Sequence, residues 1–127
     1  MKDIQSKAYA EVSVEVGEDN TAVAVGSGSL EVFGTPCMIA LMEKATVNAV
    51  APFLENDETT VGTQINVSHC KASAVYTVIT ARAQLREAQG RKLVFDVSAV
   101  DGKGDVIGEG SIERFVVFAE KFMSKLS

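Results

Sequence analysis

The sequence predicts an α+β fold in which an antiparallel, curved β-sheet wraps around one long central α-helix. Three observations predict it. One helical run, PCMIALMEKATVNAVAPFL, is apolar around most of its circumference. The chain after it falls into four long alternating stretches separated by turn residues. A further alternating stretch precedes the helix. A sheet with an apolar face has to bury it, and the single apolar helix is the element available to fill it. At 127 residues the chain is expected to be one domain spanning 1–127.

YAEVSVEV alternates as a strand over residues 8–16, and Gly17-Glu18-Asp19-Asn20 turns the chain. Residues 21–25 are expected to form a second short strand. GSGSLEVFG, rich in Gly and Ser, reads as a loop. Thr35 is expected to cap the helix, with Pro36 at its first helical position. The polar stripe of the helix is narrow, at Lys44 and Asn48, so deep burial is expected. Pro52 and the turn Glu55-Asn56-Asp57-Glu58 end it. Strands then follow at residues 59–70, 75–87, 93–99 and 106–118. Gln89-Gly90 and Asp101-Gly102-Lys103-Gly104 make the last two turns. The final strand alternates imperfectly, which predicts a bulge or burial on both faces. FAEKFMSKLS is expected to close the chain as a short helix using Phe118, Phe122 and Leu126. A sheet curled round one helix in this order is the hotdog arrangement.

Composition excludes several classes of function. A net charge of −5 argues against a nucleic-acid surface, though not against a local basic patch for a phosphorylated small molecule. MKDIQSKAYAEV lacks the apolar core of a secretory signal, and no apolar run reaches membrane-span length. Cys37 and Cys70 have no CxxC spacing, and with one histidine a metal site is not expected. Two reduced thiols in a cytoplasmic protein is the simplest reading.

Few side chains stand out as chemical. Glu43 sits mid-helix on a face with Ile39 and Val47, where a buried carboxylate is costly unless paired or functional. His69, the only histidine, ends the alternating VGTQINVSH and shares the parity of Ile65 and Val67, which points it toward the helix. An imidazole and a carboxylate buried together are natural partners, the carboxylate favouring the charged ring. Thr35 places a hydroxyl at the positive end of a helix, next to backbone N–H groups that can hold a developing oxyanion. Gly62, isolated in a strand, marks a bulge or a close approach. Cys37, in the first helical turn, is where a thiolate would be stabilised, although a small buried residue accounts for it equally.

Together FGTPCMIALMEKA, ETTVGTQINVSHCKAS, EAQGRKLVFDVSA and IGEGSIERF resemble the fluoroacetyl-CoA thioesterase-like family of hotdog proteins. The blocks occur in the family's order over residues 32–117. The resemblance implies a catalytic Thr35, Glu43 and His69, with Gly62, Phe33, Pro36 and Arg114 against the substrate. It implies an acyl-CoA thioesterase working as a homodimer, with sites at or near the subunit interface. It implies no cofactor beyond the coenzyme A of the substrate, and no nucleic-acid or membrane partner. Where the fluoroacetyl-CoA enzyme has an aromatic lid, this chain reads VGSGSLEVF, small and polar apart from Leu30, Val32 and Phe33. His69 is expected as general base on water or the Thr35 hydroxyl, with Glu43 orienting it or acting directly. Lys71, Arg82, Arg91, Lys92 and Arg114 are the cations available for CoA phosphates. A hotdog dehydratase or hydratase, and a non-catalytic acyl-CoA-binding module, are the alternatives. The chain lacks the Asp-x-x-x-x-His spacing of the hydratase type.

Overall fold

The computed structural model describes residues 1–4 and 8–127. Five strands, β1 (Tyr9–Glu15), β2 (Glu58–His69), β3 (Val78–Gln89), β4 (Lys92–Val100) and β5 (Val106–Phe118), form one antiparallel sheet in the order β1-β3-β4-β5-β2. A single helical turn, α1 (Ala22–Val25), precedes the long helix α2 (Thr35–Val50), and a short α3 (Ala119–Ser124) follows β5. Helix α2 lies across one face of the sheet. Ile79, Ala81, Ala83 and Leu85 of β3 and Leu93, Phe95, Val97 and Ala99 of β4 are buried in a core with Met38, Leu41, Met42, Ala45, Ala49 and Val50 of α2. Each large side chain so buried stabilises the fold by about 1.5–3 kcal/mol. The helix comes close to the sheet because small residues face it. A Cβ on Gly108 would lie 2.5 Å from the Met38 sulfur and 2.6 Å from the Ser68 carbonyl oxygen.

Several local expectations change. Residues 21–25 form the turn α1 rather than a strand. The Ala24 N–H donates to Thr21 Oγ1 at 3.2 Å, and Gly26 closes the turn in the left-handed region at φ 75°. A capping threonine followed by a terminal glycine outweighs the β preference of two valines. Strand β3 begins at Val78 and not at residue 75, because Tyr76, at φ 77°, breaks the extended chain. The irregularity in β5 is a bulge. Ala99 pairs with Gly108 and Val100 with Val106, so Ile107 has no opposite residue and the consecutive Ile107 and Gly108 are both buried. The loop over residues 26–34 is a loop as expected, tied down by the bridges Thr21–Phe33 and Val32–Ala74.

Burial of α2 is one-sided, against the expectation of a helix covered almost all round. Val47 is 42% exposed, and Ile39 and Glu43 are only partly covered. The helix packs chiefly on β1 and β3 and touches β2 and β5 much less. The uncovered helix flank therefore lies beside the β2 side of the sheet. There β2 bonds to β5 on one side only, and Ile65 is 40% exposed. No helix among the described residues is long and apolar enough to cross a membrane.

Candidate active site

The head of α2 and the end of β2 meet at Thr35 and His69. Gly34, not Thr35, is the N-cap of α2, and Thr35 is the first residue of the helix with Pro36 after it. Gly34 suits the extended backbone needed there, and its carbonyl accepts from the N–H groups of Cys37 and Met38 at 3.0 Å each. The Thr35 hydroxyl is thereby released from capping. It makes a hydrogen bond of 2.8 Å with His69 Nδ1. The other ring nitrogen, His69 Nε2, is buried without a hydrogen-bond partner. An unpaired buried nitrogen is costly, and such groups mark places where a ligand or a second chain completes the structure. A hollow of about 290 Å³ opens beside this pair, walled by Ala22, Ser27, Val32 and Phe33. Phe33 is itself a core residue, 1% exposed, while Pro36 is exposed and does not line the hollow.

Glu43 stands elsewhere. Its carboxylate accepts from Arg114 Nη1 at 3.3 Å, and no bond joins it to His69. Arg114 reaches it from β5 through the inner face of the sheet. Its Nε donates to Thr60 Oγ1 at 2.8 Å and its Nη2 to the Thr60 carbonyl at 3.1 Å. Arg114 is 6% exposed; burial lowers its pKa from the ordinary value, and Glu43 opposes the shift. The Glu43 side chain remains 38% exposed, open toward the uncovered side. Gly62 lies directly beneath it, since a Cβ there would sit 2.7 Å from Glu43 Oε2 and 3.4 Å from Arg114 Nη1.

The expected site residues thus fall into two separate groups, Thr35 with His69 and Glu43 with Gly62 and Arg114. Glu43 follows Thr35 by eight residues, about 12 Å along a helix. Gly62 pairs with Arg114 and His69 with Gly108, a separation of six residues on β5, roughly 20 Å along a strand. Both groups nevertheless face the helix. Gly62 and His69 are an odd number of residues apart and would point to opposite faces of an uninterrupted strand. Gly62 pairs with Arg114 and Gln64 with Glu113, so Thr63 is an extra, bulged residue that resets the parity.

The family model described as fluoroacetyl-CoA-specific thioesterase matches residues 16–120. The chain belongs to this family. A fluoroacetyl-CoA thioesterase from Streptantibioticus cattleyicolor is 47% identical over 96 residues, 76% of this chain and 68% of that protein. A solved structure of the fluoroacetyl-CoA thioesterase superposes with a TM-score of 0.90 at 36% identity, covering 98% of this chain and 96% of that one. A thioesterase superfamily member from Thermus thermophilus shares the fold, with a TM-score of 0.91 at 24% identity over 99% and 93% of the two chains. The hotdog architecture predicted for the sheet and helix is therefore that of the thioesterase family.

Within this family member, the expected cations sort by what already holds them. Arg114 is buried on Glu43 and is not a free phosphate ligand. Its neighbours Ile112 and Val116, two residues either side and both buried, are the sequence signal that it faces inward. Lys71 is bound by Asp101 at 2.8 Å and Asp105 at 2.6 Å, Arg82 by Glu11 at 3.3 Å and Lys92 by Glu113 at 3.6 Å. Arg91 is left, stacked over the Phe118 ring at 4.5 Å. Cys37 is not an activated thiolate, because burial pushes its thiol up. No group of three or more His, Cys, Asp or Glu among the described residues is placed to hold a metal ion.

Proposed function

We propose that the chain hydrolyses acyl-CoA thioesters as a symmetric homodimer, each of its two sites being built from both copies. The reaction class, thioester hydrolysis, follows from membership of the thioesterase family. The observation that carries the paired site is the distance between the two half-sites, both open along the unpaired edge of β2. A long free edge with exposed apolar residues invites pairing with a second copy. Antiparallel pairing of β2 with β2, centred where Asn66 meets Asn66 of the other copy and with the bulged Thr63 left out of the count, sets Gly62 of each copy opposite His69 of the other. The partner's Glu43 is then brought to the His69 ring, and the Glu–His pairing absent within one chain forms between two as Nε2, buried in the single chain, is uncovered.

In this arrangement His69 Nδ1 accepts the proton of the Thr35 hydroxyl as Thr35 Oγ1 attacks the thioester carbonyl. The protonated ring holds its Nε2–H against the partner's Glu43, which balances its charge. Arg114 keeps that carboxylate in place. The oxyanion gathers at the helix head near the Thr35 N–H, facing the partner's Gly62. Collapse expels the CoA thiolate, which takes up the proton held by the ring and leaves the acyl group on Thr35; water, giving its proton to the same ring, attacks that ester, and the ring returns the proton to Thr35 Oγ1 as the acid leaves. The hollow beside Thr35, walled by Ala22, Ser27 and Val32, suits a short acyl group. Two free thiols, Cys37 and Cys70, fit a reducing cytoplasm.

Thiol release from a panel of acyl-CoAs, with light scattering on the same sample, tests the proposal. Release of one thiol per acid formed, from a particle of twice the chain mass, is the expected result. A change in double-bond absorbance without thiol release makes the protein a hydratase instead. Saturable binding without turnover makes it a binding module.

A further inference from the structure

We infer that a groove on the outer face of the sheet, at the junction of β5 and α3, binds the 3′-phosphoadenosine diphosphate head of the CoA substrate. The inference rests on the acyl-CoA reading above. The groove holds about 270 Å³ and is lined by Arg91, Lys121 and Lys125 around Phe115, Phe118 and Phe122. Three features set it apart on this molecule.

First, its cations are free. The chain carries a net charge of −5, and Arg82, Arg86, Arg114, Lys71 and Lys92 are each tied to a carboxylate. None of Arg91, Lys121 and Lys125 makes an ion pair with a described residue, and although the Glu58 carboxylate lies within electrostatic range of Arg91, three positive charges converge on one hollow of an acidic protein. A ligand with a pyrophosphate and a phosphomonoester supplies the missing anions. Second, the floor is aromatic. Phe115, Phe118 and Phe122 are all partly exposed, and the Arg91 guanidinium lies 4.5 Å from the Phe118 ring centre. A flat, π-rich base finds stacking surface there, beside the cations that take the phosphates. Third, the groove is close to the chemistry. Phe115 follows Arg114 on β5 and pairs with Val61, next to Gly62. From Gly62 to the start of β2 at Glu58, which pairs with Phe118, is four residues, about 13 Å of strand. An extended pantetheine arm rounds that end, leaving the thioester at Glu43 and Gly62 and the nucleotide outside.

The test replaces Arg91, Lys121 and Lys125 together by alanine, all three being surface residues remote from Thr35 and His69. Acetyl-CoA and acetyl-pantetheine, which lacks the nucleotide, are compared as substrates. Exposed charge contacts are worth about two- to fivefold each, so KM for acetyl-CoA is expected to rise roughly tenfold to a hundredfold with kcat unchanged. KM for acetyl-pantetheine should not move. Unchanged KM for acetyl-CoA, or an equal rise for both substrates, overturns the inference. If the wild-type protein releases no thiol from either substrate, the hydrolase reading fails instead. The groove is then judged by calorimetric binding of free CoA, which the triple substitution must weaken by the same factor.

Discussion

Subunit complementation addresses the paired site directly. His69→Ala removes the ring from one half-site and Glu43→Gln removes the charge from the other. Each substitution alone is expected to lower turnover by roughly two orders of magnitude, the scale of a positioned acid or base. Within one chain the halves stand about 12 Å apart along α2, beyond the reach of the Glu43 side chain, which is committed to Arg114 at 3.3 Å. Co-expression with two affinity tags allows the mixed dimer to be isolated. One of its sites then carries both substitutions and the other carries neither. The mixed dimer should show about half the wild-type activity, roughly fiftyfold above either parent. Thiol release under saturating substrate is the assay. A folded mixed dimer no more active than its parents would show that Thr35, His69 and Glu43 act within one chain, and would refute the geometry proposed here.

The remaining expectations are smaller in scope. Glu43→Gln should cost about 1 kcal/mol of stability or less, because the pair with Arg114 is screened at the exposed carboxylate and Arg114 keeps its bonds to Thr60; urea titration measures it, and a loss of several kcal/mol would mean the pair is structural. Gly62→Ala should sharply reduce turnover with little change in melting temperature, since the new methyl displaces the mobile end of Glu43 and no backbone atom; unchanged kcat would remove Gly62 from the site. Gly108→Ala should instead destabilise by about 1–3 kcal/mol, as its Cβ meets a backbone carbonyl, and a wild-type melting curve would contradict that packing. Asp101 titrates below its ordinary value through Lys71, so its contribution to stability is complete above about pH 3.8 and disappears as pH falls through the lower folded value. Lys71→Met should flatten the acid limb of the melting profile, and an identical limb would show that the clamp contributes nothing.

Much of the fold was legible because burial imposes period two on β3 and β4, where Ile79 to Leu85 and Leu93 to Ala99 alternate without a break. Residues 21–25 misled because two valines in a five-residue stretch carry little pattern, and the capping pair Thr21 and Gly26 decided the conformation. The candidate site was legible as a set of residues and illegible as a geometry. Thr35 and His69 do meet, but Glu43 meets Arg114, since the eight residues from Thr35 to Glu43 along the helix and the seven from His69 back to Gly62 along β2 carry the two groups well apart. Nothing in the pattern of one chain announces that its pieces face an empty edge. The exposure of Val47 on α2 has the same origin: apolar in sequence, it counts as core only when a second surface covers it.

The bulge at Thr63 has a consequence for anyone who would move this chemistry to another scaffold. The spacing of Gly62 and His69 in β2 is written in two reading frames, one upstream of Thr63 and one downstream. Grafting Gly62 and His69 onto an ideal strand with their numbering intact would turn the imidazole outward, and the transplant would be inert with every residue present. Deleting one residue between them, on such a strand, would restore the facing. What has to be copied is a phase relationship, and the irregular residue is the part of the motif that a tidy design would remove first.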